Sequence, residues 1–227
     1  METIAERLKS AHESLAKATD KVHRATNSVQ LLAVSKTKPV SDIVQAYEAG
    51  HRLFGENYVQ EGVEKIQALN ELSDIEWHFI GPLQSNKAKL VAEHFDWVQS
   101  IDRAKIANRL NTLRSPHKKL NVLIQVNINN ESTKAGVLPE EVLEMAAQVA
   151  SLANLQLRGL MTIPKAEQTD EQLKDSFLRM QDLFFQLKHL YPNIDTLSMG
   201  MTGDMQLAIE NGSTMVRLGT AIFGART

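Results

Sequence analysis

Val29-Gln-Leu-Leu-Ala-Val-Ser-Lys-Thr-Lys-Pro39 is the stretch that decides the architecture. From Val29 to Ser35 it is nearly continuous in apolar character, as a strand buried on both faces must be, whereas a strand with one wet face alternates. Burial on both faces points to a central strand of a parallel sheet covered by helices. The run then breaks into Lys36-Thr37-Lys38-Pro39, and helical spacing resumes from Ser41 to Ala49. A strand, a polar turn and a helix thus follow in close succession.

Upstream, Ile4, Leu8, Ala11, Leu15 and Ala18 recur at three and four positions, so an amphipathic helix is expected from Ile4 to about Lys21, covering one end of the fold. Downstream, the unit repeats. Short apolar runs at Arg52–Phe54, Glu76–Ile80, Trp97–Gln99, Asn121–Asn127, Gln156–Met161, Thr196–Ser198 and Met215–Leu218 bring the candidate strands to eight. Helical spacing lies between them at Tyr58–Leu69, Lys87–His94, Ala104–Leu113, Glu140–Leu152, Asp170–Leu190 and Asp204–Asn211. Ser41 is expected to cap its helix and Pro139 to open another, while Gly50 and Gly212 stand where a helix must stop.

This alternation implies parallel strands with right-handed crossovers. Eight units closed into a barrel take roughly 200 to 400 residues; an open doubly wound sheet is the alternative, and periodicity does not separate the two. The strands near Phe54 and Val98 are short enough to be misassigned. No linker rich in Pro, Gly or Ser divides the chain, so residues 1–227 read as one domain.

Composition fits a globular protein: 43% of the 227 residues are hydrophobic, 23% are charged, and there are 11 Gly and 6 Pro. The 25 Lys and Arg against 27 Asp and Glu leave a formal charge of -2, which argues against a dedicated nucleic-acid or anionic-membrane protein. Cysteine is absent, which removes disulfides, thiolate nucleophiles and sulfur-ligated metals. The amino terminus METIAERLKS lacks the apolar core of a signal peptide and no run approaches a membrane span, so the cytoplasm is the simplest expected location.

Chemistry-bearing residues gather just after the candidate strands, where barrels and open parallel sheets build their sites. Lys36 projects from the end of the first strand; desolvation there would leave an amine able to attack a carbonyl, and an ordinary loop charge is the alternative. Gly55-Glu56-Asn57-Tyr58 follows the second strand, with Asn57 a helix cap or a ligand contact. His78 to Asn86 forms a third cluster, in which Gln84, Ser85 and Asn86 can cap a helix and His78 is a ligand contact or a structural hydrogen-bonding group. Ser198-Met-Gly-Met-Thr-Gly203 and Gly219-Thr-Ala-Ile-Phe-Gly224 follow the last two strands, where barrels hold phosphates on backbone N–H groups and a short helix terminus. Arg217 shares a strand face with Gly219, either to reach a ligand ring or to pair with a buried acid. Together with Lys36, these loops suggest a phosphorylated ligand spanning the barrel mouth. The chain shows no HExxH or calcium-loop pattern, no GxGxxG or Walker loop and no GxSxG elbow, so no metal is expected.

Six ordered motifs, LLAVSKTKP at Leu31–Pro39, FGENYVQE at Phe54–Glu61, WHFIGPLQSNK at Trp77–Lys87, LRGLMTIP at Leu157–Pro164, LSMGMTGDMQLAI at Leu197–Ile209 and VRLGTAIFGAR at Val216–Arg226, resemble the YggS/PROSC family of pyridoxal phosphate (PLP) homeostasis proteins. The resemblance covers essentially the whole chain. It implies a single (β/α)8 TIM barrel of the fold-type III PLP class, similar to the amino-terminal domain of bacterial alanine racemase, preceded by the extra helix. It further implies that Lys36 carries PLP as an internal Schiff base. Ser198, Gly200, Gly219 and Thr220 would surround the phosphate with Met199 near them, Arg217 would face the pyridine nitrogen, and Asn57, His78 and Met161 would lie around the ring or mouth.

Arginine beside the pyridine nitrogen disfavours its protonation and weakens the electron sink, though alanine racemase is similar in using one there. Racemases of this fold add a β-domain and a partner-subunit tyrosine as second base, whereas this chain ends at Thr227. The expectation is a non-catalytic or barely catalytic PLP carrier, limiting or transferring free PLP with effects on vitamin B6 and amino-acid balance. A monomer is expected, with apo PLP-dependent enzymes as candidate recipients and neither nucleic acid nor membrane as partner. Lys38, Lys89 and Lys134 are secondary docking candidates set against ordinary surface lysines. The alternatives are a small PLP enzyme acting on amino acids, with Tyr58 or His78 supplying a proton, an aldolase-like barrel joining Lys36 to a sugar phosphate, and an interaction module.

Overall fold

Each apolar run finds two partners. In the computed structural model, which describes residues 2–225, the strands are β1 (Gln30–Val34), β2 (Leu53–Glu56), β3 (Glu76–Phe79), β4 (Trp97–Ile101), β5 (Leu120–Val126), β6 (Leu155–Thr162), β7 (Thr196–Ser198) and β8 (Met215–Leu218). They pair in chain order, all parallel. β8 returns to β1, with Leu31 opposite Val216 and Leu32 opposite Arg217, so the sheet is a closed barrel rather than an open one.

Around it lie α1 (Ile4–Lys21), α2 (Val40–Glu48), α3 (Val59–Ala68), α4 (Ala88–His94), α5 (Ala104–Leu113), α6 (Val142–Ala150), α7 (Asp170–Leu190), α8 (Met205–Glu210) and α9 (Thr220–Phe223). The outward-facing strand residues pack against these helices, and Ile43, Phe54, Phe79, Ile106, Leu110 and Phe177 are completely shielded from solvent. Such side chains each contribute about 1.5–3 kcal/mol by leaving water. Inside the barrel, Trp97, Leu123 and Met161 form a separate apolar cluster. Two cores, one on each side of the same strands, explain why the runs do not alternate.

α1 is closed by a capping box: the Glu6 N–H donates to Thr3 Oγ1 at 3.2 Å and the Thr3 N–H to Glu6 Oε2 at 2.8 Å. It packs along α2, α8 and α9, tied by Arg7 Nε to the Ile222 carbonyl at 2.6 Å and by Lys21 to Glu210 at 2.9 Å. It thus sits in the helical layer between the first and last units rather than across an end.

Gly50 and Gly212 adopt φ of +94° and +96°, as helix stops of this kind require. Pro139 opens a 3-10 turn, Pro139–Glu141, ahead of α6. The capping expectations fail. α2 starts one residue early, from extended Pro39, which leaves Ser41 inside the first turn with no cap bond. Tyr58, not Asn57, occupies the cap position of α3, and no side chain caps it. Gln84, Ser85 and Asn86 enter a second 3-10 turn, Ser85–Lys87, without a side-chain cap bond.

Candidate functional site

Alternation along β1 places Leu32 and Val34 on the inner face and carries Lys36, half-buried, to the barrel mouth on the same side. The Ser35 N–H still bonds the Gly55 carbonyl at 3.0 Å, so the strand geometry persists up to the lysine. Beside it in the closed barrel stand the ends of β8, which pairs with β1, and of β7. Arg217, 4% exposed, donates from Nη1 to Ser198 Oγ at 2.7 Å and from Nη2 to the Thr162 carbonyl at 2.8 Å. Its partners are thus a hydroxyl and a carbonyl, not the carboxylate of a buried ion pair. Burial lowers its pKa to about 10, which leaves it cationic at neutral pH.

The first glycine loop is tied to β8, where the Arg217 N–H donates to the Gly200 carbonyl at 2.9 Å. Gly200 has φ of +102°, and a Cβ there would lie 2.7 Å from Ala208 Cβ, so only glycine fits. Gly219 brings the second loop to β1: a Cβ on it would stand 3.3 Å from the Val34 carbonyl oxygen. Thr220 then starts α9. Lys36, Ser198, Gly200, Arg217, Gly219 and Thr220 therefore come from opposite ends of the chain to one opening.

The remaining expected residues divide. Asn57 lies at the end of β2, and its buried Oδ1 has no hydrogen-bond partner among the described residues, an acceptor left for something else. Its backbone is pressed by Gly81, where a Cβ would stand 2.0 Å from the Asn57 carbonyl oxygen. Met161 belongs to the inner cluster. Met199 faces the other way from Ser198, into the helix-facing core, so its backbone rather than its side chain borders the loop.

His78 is not at the mouth. It is fully buried inside the barrel, stacked on Trp97 with ring centroids 5.0 Å apart. Gln99 Nε2 donates to His78 Nδ1 at 3.0 Å, which leaves Nε2–H to donate to Glu76 at 2.9 Å. Gln99 Oε1 in turn accepts from Ser198 Oγ at 2.7 Å. Burial holds the His78 pKa below its ordinary value against the pull of Glu76, so the ring is neutral at neutral pH. The histidine is thus joined to Arg217 by hydrogen bonds through Gln99 and Ser198.

Sequence reasoning missed Gln99 and Lys65. Gln99 is a polar residue in a buried run, which is a usable signal; Lys65 sits in an ordinary amphipathic helix, which is none. Of the secondary lysines, Lys38 donates to the Ala225 carbonyl at 2.8 Å, Lys89 lies 3.8 Å from Glu93, and Lys134 binds the Pro164 carbonyl at 2.9 Å and Glu131 at 2.8 Å.

Residues 12–227 match the family model of the alanine racemase N-terminal domain. The chain is 57% identical to the pyridoxal phosphate homeostasis protein of Pasteurella multocida (strain Pm70), over 99% of this chain and 98% of that one. Among solved structures it is similar to PipY of Synechococcus elongatus PCC7942. The form without PLP aligns at a TM-score of 0.88 and 38% identity, and the form with PLP bound at 0.84 and 36%, each over 98% of this chain and 100% of PipY. Sequence and barrel agree along nearly the whole of both partners, and this chain belongs to the pyridoxal phosphate homeostasis protein family.

Proposed function

We propose that the barrel mouth binds pyridoxal 5'-phosphate, holds it covalently through Lys36, and serves to keep and hand on the cofactor rather than to turn over a substrate. One observation carries the reading: a lysine at the end of β1 stands beside the ends of β7 and β8, where a buried arginine–serine pair and two glycine loops lie at the same end of the barrel. When bound, the cofactor supplies an aldehyde that an amine can capture and release, and a phosphate that anchors it. The donor set fits that group. Thr220 and the backbone N–H groups of Gly200 and Gly219 offer uncharged donors to a phosphate, while the Ser198 hydroxyl and the Met199 N–H already donate to Gln99 and to the Met215 carbonyl and border the group without donating to it. Arg217 presents a cation to the ring nitrogen and disfavours a proton there, Asn57 offers its unpartnered acceptor at the rim, and Met161 closes the floor.

The carrier reading is favoured over a racemase or transaminase by where the candidate proton donors lie. His78 has both ring nitrogens engaged below the mouth, and Tyr58 stands 55% exposed at the cap of α3. Lys36 can hold and release an aldehyde without a second acid–base group, whereas two-faced proton transfer cannot proceed without one. Recipients of the released cofactor would be apo PLP-dependent enzymes, which links the protein to vitamin B6 and amino-acid balance.

The test is the absorption spectrum of the purified protein before and after borohydride reduction, with peptide mass mapping. A visible band that is lost on reduction as a pyridoxyl adduct appears on Lys36, and that does not form in Lys36→Ala, is the expected result. No adduct after PLP addition would overturn the reading and favour a sugar-phosphate ligand. Isotope exchange at the α-carbon of several amino acids at enzymatic rates would overturn the carrier role alone.

A further inference from the structure

Directly behind Lys36, on the helix side of the barrel wall, lies a buried charge cluster that the cofactor site does not use. Lys65 of α3 is 5% exposed and Glu56 of β2 is fully buried. Lys65 Nζ donates to Glu56 Oε1 at 2.9 Å, to Glu61 Oε1 at 2.6 Å and to the Ser35 carbonyl at 2.7 Å. Ser35 Oγ donates to Glu56 Oε1 at 2.6 Å, and the Thr37 N–H donates to Glu61 Oε1 at 2.6 Å. The Ser35 carbonyl and the Thr37 N–H belong to the two peptide groups that flank Lys36. Both are therefore gripped by one cluster, from the side opposite to the mouth.

Two costs are concentrated on this turn. Taking an ammonium and a carboxylate out of water is expensive, and an apolar pair of the same volume would pack as well. Thr37, a β-branched residue, is held at φ of +62°, a left-handed conformation that such residues avoid. Backbone strain of this kind persists only where the surroundings over-determine it, and the Thr37–Glu61 bond supplies that restraint. Glu61 and Lys65 are four apart on α3, so the helix itself presents them together.

We propose that Lys65, Glu56 and Glu61 are positioning residues that clamp the Lys36 turn from behind and so set how long the cofactor is retained. The inference rests on Lys36 being the attachment point. A lysine on a fixed backbone presents its amine at one place and angle, and small displacements of a reacting group change rates by orders of magnitude. Releasing either flanking peptide group frees the turn to leave its strained conformation and carries the amine off the aldehyde.

The experiment uses the full chain loaded with PLP, and compares wild type, Glu61→Ala, Glu61→Gln and Lys65→Met. Release is read as loss of the visible band in excess semicarbazide, and orientation as circular dichroism within that band. Glu61 is 28% exposed at the edge of the cluster, so its variants fold even if Lys65→Met does not. Glu61→Ala should speed release at least about tenfold and weaken the dichroism while the chain stays folded. Glu61→Gln keeps an acceptor for the Thr37 N–H and should return both readouts toward wild type. Wild-type release and dichroism in Glu61→Ala, with only the unfolding midpoint lowered, would reduce the cluster to a structural role. Failure of the wild type itself to form a Lys36 adduct would instead sink the attachment reading.

Discussion

His51 shows how far one buried ring is displaced from its solution chemistry. It packs edge-on to Phe54 with ring centroids 5.3 Å apart, and its Nε2–H donates to the Leu53 carbonyl at 2.8 Å. Burial lowers its pKa from 6.5 to about 4, opposed by that hydrogen bond. Between these two values the unfolded chain takes up a proton that the folded chain refuses. Stability present above pH 6.5 is therefore lost as pH falls toward 4, by up to roughly 3 kcal/mol from this group. Urea unfolding of wild type and His51→Gln at pH 7 and pH 4.5 checks it. The variant should show a shallower loss on acidification, and an equal loss in both would place the acid sensitivity elsewhere. At this scale the residues of the candidate site stand out in the sequence, because Lys36, Ser198, Arg217 and the glycines break apolar runs where a core residue would otherwise stand. The role of His78 does not, since nothing along the chain shows that Gln99 of the next strand occupies its Nδ1.

Among the elements, α1 gives the cleanest separation of local from tertiary stability. Its amphipathic spacing is readable in the sequence and its capping box is seen in the structure, yet a helix of this length depends on its buried face. Leu8 is 2% exposed and belongs to the buried core of a helix that packs against α2, α8 and α9. Leu8→Ala should cost about 2–5 kcal/mol, the range for truncating a buried leucine. A midpoint shift in urea with an unchanged slope is the expected outcome. A loss below 1 kcal/mol would mean that α1 packs loosely on the barrel. The helix was visible from its period, but its resting place was not, because α8 and α9 lie at the far end of the chain. α9 itself escaped detection, since four residues between two glycines carry too little period to read. Ser41 misled for a related reason: extended Pro39 already supplies the entry, and an element's end is set by backbone geometry that composition reflects only loosely.

Across the whole molecule, closure is the property that periodicity could not reveal, and it is also what joins the polar interior. Glu76 and His78 of β3, Gln99 of β4, Ser198 of β7 and Arg217 of β8 form one hydrogen-bonded chain that ends on the Thr162 carbonyl of β6. β3 and β4 are distant in sequence from β6, β7 and β8, and the two groups meet across the interior of a barrel that closes where β8 pairs with β1. Gln99 stands at the middle of the chain, bonding in both directions with no solvent exposure. Gln99→Leu fits the volume but leaves the Ser198 hydroxyl without its acceptor and His78 Nδ1 without its donor. Each buried polar group so orphaned costs about 1–3 kcal/mol, so with two of them the variant should lose roughly 2–6 kcal/mol while its far-ultraviolet dichroism is unchanged. Arg217 should also loosen, because Ser198 is freed to turn its hydroxyl elsewhere. PLP binding by Gln99→Leu should then weaken even though Gln99 lies beneath the proposed cofactor site. Full stability with weakened binding would make the chain a positioning device alone. Full stability with unchanged binding would show that the barrel interior holds Arg217 without it.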